Sequence, residues 1–174
     1  MTGGPMLDPD DLRRRLQLVP HPAEGGWFAE TYRSAETLEP AGGKGRRAHA
    51  TAIYYLLTPE TFSAMHRLAA DEIFHFYLGD PVEMLELDPE GGGRVLRLGT
   101  DLASGMRPQI VVPRGVWQGS RLVPGGRLAL LGTTVSPGFE FDDYEPGERD
   151  ALAGRFPEFR DLILALTRRD PKIP

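Results

Sequence analysis

Turn-forming residues recur roughly every eight to twelve positions through the middle of this chain, and that spacing limits what it can fold into. Thr58-Pro59-Glu60, Gly79-Asp80-Pro81 and Pro124-Gly125-Gly126 each separate short runs of β-branched and aromatic residues. The runs cover 27–33, 50–57, 62–68, 72–78, 82–87, 94–98, 109–112, 115–123 and 127–135. The 21 glycines and 16 prolines follow no strict period, so they mark tight turns between short strands. A sandwich or closed barrel is expected, not a helix bundle.

The two ends read differently. Asp8-Pro9 supplies an N-cap and a proline at the first helical position. Leu12, Leu16 and Val19 then recur at helical spacing, which predicts a helix over 9–18 that Pro20 and Pro22 end. At the other end Leu152, Phe156, Phe159, Leu162, Ile163 and Leu166 form one apolar stripe, interrupted by Pro157. The plan is a single domain over 1–174: a loose tail at 1–7, a helix within 8–19, a β-barrel over 24–145 and a helical segment at 147–168 covering one face. In the strand at 27–33, alternation sets Phe28, Glu30 and Tyr32 on one face. The glycine-rich stretch within 35–48 has no Gly-Lys-Ser/Thr ending and no following helix, so a phosphate loop fails and a mobile loop is expected. His21, between two prolines, reads as a solvated turn residue, and His49 as a surface one.

Composition removes several classes of function. A net charge of −5 argues against nucleic acid and anionic lipid as partners. No apolar run approaches the length of a membrane span, and no signal peptide is visible. There is no cysteine, hence no disulfide, thiol nucleophile or thiolate metal site. The expected location is cytoplasmic.

Usable chemistry concentrates in residues 62–79, FSAMHRLAADEIFHFYLG. His66 and His75 flank the acidic pair Asp71-Glu72, among aromatics suited to strands. An imidazole beside a carboxylate in a largely apolar interior can move protons, because burial and pairing tune both groups. His66 is the candidate base and Glu72 its partner acid or orienter. His75 lies three residues from Glu72, so a regular strand sends the two to opposite faces unless a bulge intervenes. It is also readable as a buried histidine bonded to a backbone carbonyl. Tyr55, Ser63, Phe76, Trp117 and Gln118 are candidate binding residues, with Tyr55 or Tyr77 as a possible proton donor. Trp27, Phe28 and Tyr32 form the candidate surface for a second subunit.

The same residues carry a resemblance. Glu72, six residues and then Gly79 match the second half of the first cupin motif; His66 stands as its first histidine, with Leu68 where the second belongs. Pro113-Arg114-Gly115-Val116-Trp117-Gln118 represents the second motif, with Gln118 in place of histidine and Leu122 in place of asparagine. HPAEGGWFAETYRS, TAIYYLL, HRLAADEIFHFYLGDPVEMLELDPEG, VVPRGVWQGSRL and TVSPGFEFDDYEPGERDAL together resemble the DUF985 (Cupin_5) branch of the cupins, over roughly residues 16–168.

That resemblance implies an all-β fold, a jelly-roll β-barrel with a central cavity, and a homodimer. It implies no settled reaction. Metal-binding cupins use three histidines and a glutamate; here His66, Glu72 and Gln118 would be the remaining set, and an amide is a poor ligand for such ions. The expectation is a small-molecule-binding protein without a cofactor, with an isomerase- or epimerase-like reaction on a polar, carbohydrate-like ligand as the candidate chemistry. The alternatives are a metal-dependent dioxygenase- or lyase-like cupin and a non-catalytic binding dimer. Epimerases of this kind act on diphosphate-bearing sugars, which calls for cavity arginines; Arg33, Arg67 and Arg121 are the candidates.

Overall fold

The computed structural model describes residues 8–41 and 45–169; the expected tail at 1–7 lies outside them, as do residues 42–44 of the glycine-rich stretch. Helix α1 (Pro9–Arg15) starts where the sequence places it, with the Asp8 carboxylate accepting the Asp10 N–H at 2.9 Å. It stops short of residue 18 because Gln17 turns the chain through a positive φ of 54°.

Among the described residues thirteen strands follow: β1 (Val19–Pro20), β2 (Trp27–Arg33), β3 (Thr37–Leu38), β4 (Arg47–Ala48), β5 (Thr51–Leu57), β6 (Ser63–Leu68), β7 (Asp71–Gly79), β8 (Val82–Leu87), β9 (Gly93–Leu98), β10 (Gln109–Val112), β11 (Trp117–Leu122), β12 (Ala129–Ser136) and β13 (Tyr144–Pro146). Helices α2 (Arg149–Arg155) and α3 (Arg160–Ala165) come after the strands, separated by a tight turn at Pro157–Phe159. Proline at that point breaks the stripe, as its missing N–H requires.

The strands form a six-stranded sheet, β1-β2-β5-β12-β7-β10, a five-stranded sheet, β13-β6-β11-β8-β9, and a separate β3–β4 pair. The two large sheets are not hydrogen-bonded into one another, so the expected closed barrel is corrected to an open two-sheet sandwich. The edges explain why. β1 is two residues long and ends in Pro20, β13 ends in Pro146, and Pro108 and Pro113 bracket β10. Proline lacks the donor a closing ladder needs. Between β9 and the approach to β10, one isolated bridge forms, Leu98 to Arg107.

Tyr55, Leu57, Phe74, Met84 and Leu131 pack between the sheets as the main core. Leu152, Phe156, Ile163 and Leu166 of the C-terminal segment bury against Leu85, Leu87 and Trp117 on the outer face of the five-stranded sheet. Helix α1 covers one end of the other outer face, where Leu12 meets Leu56 and Leu130, and Arg13 lies over the Trp27 ring at 4.2 Å. Each outer face is thus partly covered by helix, and the interior between the sheets is left for the site.

Two local expectations also change. The stretch at 35–48 contains the β3–β4 pair, and Arg47 is buried with its Nε 2.7 Å from Asp143. On β2 the register against β5 slips between Glu30 and Tyr32: Phe28 opposes Tyr55, Glu30 opposes Ile53, and Arg33 opposes Thr51. The bulge at Thr31 reverses the alternation. Arg33, not Tyr32, follows Glu30 on the inner face, and Tyr32 is 55% exposed on the outer one.

Candidate functional site

His66 lies on β6 and Glu72 on β7, in different sheets, and both line one cavity of about 170 Å³ between the sheets. Both side chains are buried. The rest of the wall comes from β2 (Phe28, Glu30, Arg33), from Thr51, Ile53, Thr133 and Val135 on β5 and β12, and from loops holding His21, Glu24, Phe139 and Phe141.

Hydrogen bonds fix the imidazole states. His66 Nδ1 sits 2.7 Å from the Ala64 carbonyl, which only accepts, so Nδ1 carries a proton and, in the neutral ring, Nε2 holds the lone pair. Among the described residues Nε2 has no hydrogen-bond partner. The ring is held from behind by Tyr144, stacked at 5.0 Å and 21°; burial pushes the Tyr144 hydroxyl pKa up.

His21 is in the opposite tautomer. Its Nδ1 accepts the Glu24 N–H at 2.9 Å, so Nε2 carries the proton, 3.8 Å from Glu24 Oε2. Burial lowers its pKa, with Glu24 opposing that shift. In their neutral forms the two imidazoles therefore turn opposite nitrogens to the cavity's polar groups: His66 an accepting Nε2, His21 an Nε2–H.

Glu72 accepts the Gln118 amide N–H at 2.7 Å. Burial raises its pKa to about 7; the Glu24 charge adds to that shift, while His66, Thr133 and Gln118 oppose it. Gln118 Oε1 is buried without a partner. The arrangement is a carboxyl group near its midpoint at neutral pH sharing an enclosed space with an imidazole base.

The other sequence candidates divide clearly. Ser63 donates to Glu24 Oε1, and Tyr55 donates to the Gly25 carbonyl at 2.6 Å, so both support the loop that carries Glu24. Phe76 packs against the core between the sheets. Trp117 lies on the outer face under the C-terminal helices, with Arg67 over its ring at 4.5 Å. His75 lies on the outer face of the six-stranded sheet, 3.2 Å from Thr134 Oγ1 and stacked on Tyr77. The bulge that would have turned it inward comes too late, where β12 skips Tyr77. The structure does not bring His75 together with His66 and Glu72.

Of the three arginines, Arg33 alone lines the cavity, and it bonds Glu30 at 2.9 Å and Glu140 at 2.6 Å. Arg67 pairs with Glu145 and Arg121 with Glu83, both away from it. A larger groove of about 560 Å³ lies outside, lined by the Arg47–Asp143 and Arg67–Glu145 pairs, and contains neither His66 nor Glu72.

The sequence reading missed His21 and Glu24, and its solvated-turn description of His21 is corrected: the side chain is buried. The available signal was the Gly25-Gly26 pair. Both have positive φ (105° and 71°), and a Cβ on Gly26 would sit 2.9 Å from the Leu56 carbonyl. Only a chain without side chains there can press the loop onto β5 and turn His21 and Glu24 inward.

The side chains present do not match the metal set of cupins. Among the described residues no three of His, Asp and Glu converge to hold an ion. Gln118, in the place of the motif histidine, instead gives its amide N–H to Glu72.

Comparison with known proteins gives close matches. The chain is 33% identical over 156 residues to Uncharacterized protein YML079W of Saccharomyces cerevisiae, covering 80% of this chain and 77% of that one. Its fold superposes on protein SO0799 from Shewanella oneidensis with a TM-score of 0.85 at 37% identity, covering 95% of this chain and 100% of that one. A hypothetical protein from Leishmania major gives a TM-score of 0.85 at 32% identity, over 92% and 99% of the two chains. Residues 10–146 match the family described as Cupin superfamily (DUF985), and the chain belongs to that family.

Proposed function

We propose that this protein binds a small polar molecule between its sheets and moves a proton on it, in an isomerase- or epimerase-like reaction. One observation carries the reading: Glu72, with a pKa raised to about 7, faces the same cavity as the unpartnered Nε2 of His66. His66 Nε2 takes a proton from a carbon next to a carbonyl, and the proton returns from the imidazolium or from the Glu72 carboxyl. The molecule's net oxidation state does not change, so no external oxidant or reductant is needed, and no step is routed through a metal. Gln118 and Thr133 hold the carboxyl in place.

The cavity favours a small ligand. At about 170 Å³ it is smaller than common drug-sized sites. With Arg33 already paired to two glutamates, its lining offers no free arginine for a diphosphate among the described residues. A monosaccharide-sized or smaller molecule fits that supply of groups better than a nucleotide sugar.

A homodimer is part of the proposal. On the outer face of the six-stranded sheet, Tyr32, Ala52, Thr134, Ile73 and Val111 form one cross-strand row, and Ala29, Tyr54, Gly132, His75 and Gln109 the next. No residue in either row is an acid, lysine or arginine. Two uncharged rows can meet their own copy about a two-fold axis without like-charge contacts. Of the earlier interface candidates, Tyr32 lies on this face, Trp27 is under α1, and Phe28 faces the cavity.

The test is hydrogen exchange at carbon. Small aldoses and ketoses incubated with the protein in D2O are followed by NMR. Deuterium is expected at the carbon next to the carbonyl, and the signal is expected to fall at least a hundredfold in His66→Asn and Glu72→Gln. Equal exchange in both variants would remove the assignment.

A further inference from the structure

The charges around the cavity are unevenly paired. Arg33 is its only lining arginine or lysine among the described residues, and it bonds Glu30, Glu140 and the Phe139 carbonyl. The two carboxylates nearer the histidines, Glu24 and Glu72, have no such partner. Glu24 accepts from Ser63, and its other oxygen lies 3.8 Å from His21, which burial keeps in the neutral direction. Glu72 accepts from Gln118. Arg168 reaches the same loop from behind, but its guanidinium is spent on the backbone carbonyls of Ala23 and Glu24. The two acids, one buried and one partly so, have no bonded cation: Glu24 pulls the Glu72 pKa upward, and the His66 ring only opposes that pull.

A second observation points the same way. His66 is 1% exposed and faces this cavity with Nε2 unpartnered, a lone pair that waits for a donor. Phe28, Phe139 and Phe141 line the wall, and aromatic side chains are a surface that also suits an organic cation. The volume of about 170 Å³ equals the liquid share of roughly five or six waters.

We propose that the ligand is a small hydroxylated amine bound as its ammonium ion, with the cation between Glu24 and Glu72 and a hydroxyl donating to His66 Nε2. This rests on the reading of the cavity as a small-molecule site and adds the ligand's charge. An anionic analogue would have to break Arg33 from its glutamates to find a partner, and a neutral one would leave the two acids uncompensated.

Three compounds on one three-carbon skeleton test it: 2-amino-1,3-propanediol, glycerol and glycerate. Binding is measured by protein-observed NMR at pH 7.5, following side-chain signals of His66 and His21. The amine is expected to bind at least tenfold more tightly than glycerol, with glycerate weakest. Glu24→Gln should abolish that preference. Arg33→Gln, with its fold checked by circular dichroism, should strengthen it severalfold by freeing Glu30 and Glu140. Glycerol or glycerate binding as well as the amine would overturn the amine assignment and leave the cavity reading standing. Absence of any shift at His66 with all three would overturn both. A response to Mn²⁺ or Zn²⁺ that blocks the amine would reassign the two acids to a metal.

Discussion

Gln118 on β11 gives its amide N–H to Glu72 on β7 at 2.7 Å, a hydrogen bond that crosses from one sheet to the other. It stabilises the charged carboxylate, so it holds the Glu72 pKa below where burial alone would put it. Gln118→Leu should therefore raise the Glu72 midpoint above 7. A direct 13C NMR titration of the carboxyl carbon reads this, and a charge-assisted bond of this type is worth about 1.5–3 kcal/mol.

Glu72 also makes stability depend on pH, and the sign follows from its shift. The folded pKa of about 7 exceeds the ordinary 4.5, so the native state holds the proton more tightly than the unfolded chain. Stability then falls as pH rises from 4.5 through 7. The full penalty above that window is on the order of 3 kcal/mol. Glu72→Gln should leave Tm nearly unchanged at pH 5 and raise it at pH 8, read by calorimetry. His21 acts at the other end: its lowered pKa removes stability as pH falls below its ordinary value of 6.5.

The Arg47–Asp143 pair ties the β3–β4 hairpin to the segment before β13, with both nitrogens Nε and Nη2 bonded, at 2.7 and 3.0 Å. Arg47→Met leaves a largely buried carboxylate without its guanidinium. The expected cost is about 3–5 kcal/mol in urea unfolding, with Asp143→Asn in the same background recovering part of it.

The two uncharged rows on the outer face predict their own disruption. Gly132 lies under the Tyr77 ring, which a Cβ at that position would strike, so the ring is laid flat across the sheet beside Tyr54. Tyr32→Glu combined with Tyr77→Glu places charge in the middle of the proposed contact. Light scattering should show a dimer for the native chain and a monomer for this variant, with far-UV circular dichroism unchanged.

Much of this was legible in the residues, and the failures have physical causes. Strand positions followed from turn spacing because proline and glycine act locally, and β2, β8 and β10 fall where expected. Closure of the sheets is not local. It depends on whether edge strands retain donors, and the prolines of β1 and β13 were visible without their edge positions being known. The pairing of His66 with Glu72 in one cavity could be proposed from the sequence but not established by it, because it needs two strands of opposite sheets to face each other. His21 and Glu24 were missed because a loop, not a strand, brings them in, and loop direction depends on glycine backbone angles that no periodicity reveals. The inward turn of Arg33 depends on one bulge at Thr31, which strict alternation along the strand does not reveal.

The most direct test of the central claim is the titration of the Glu72 carboxyl in the native protein and in His66→Gln. A shared enclosed cavity predicts a midpoint of about 7 in the native chain, moving higher when the imidazole that favours the carboxylate is removed. A midpoint at the ordinary 4.5, the same in both proteins, would contradict it.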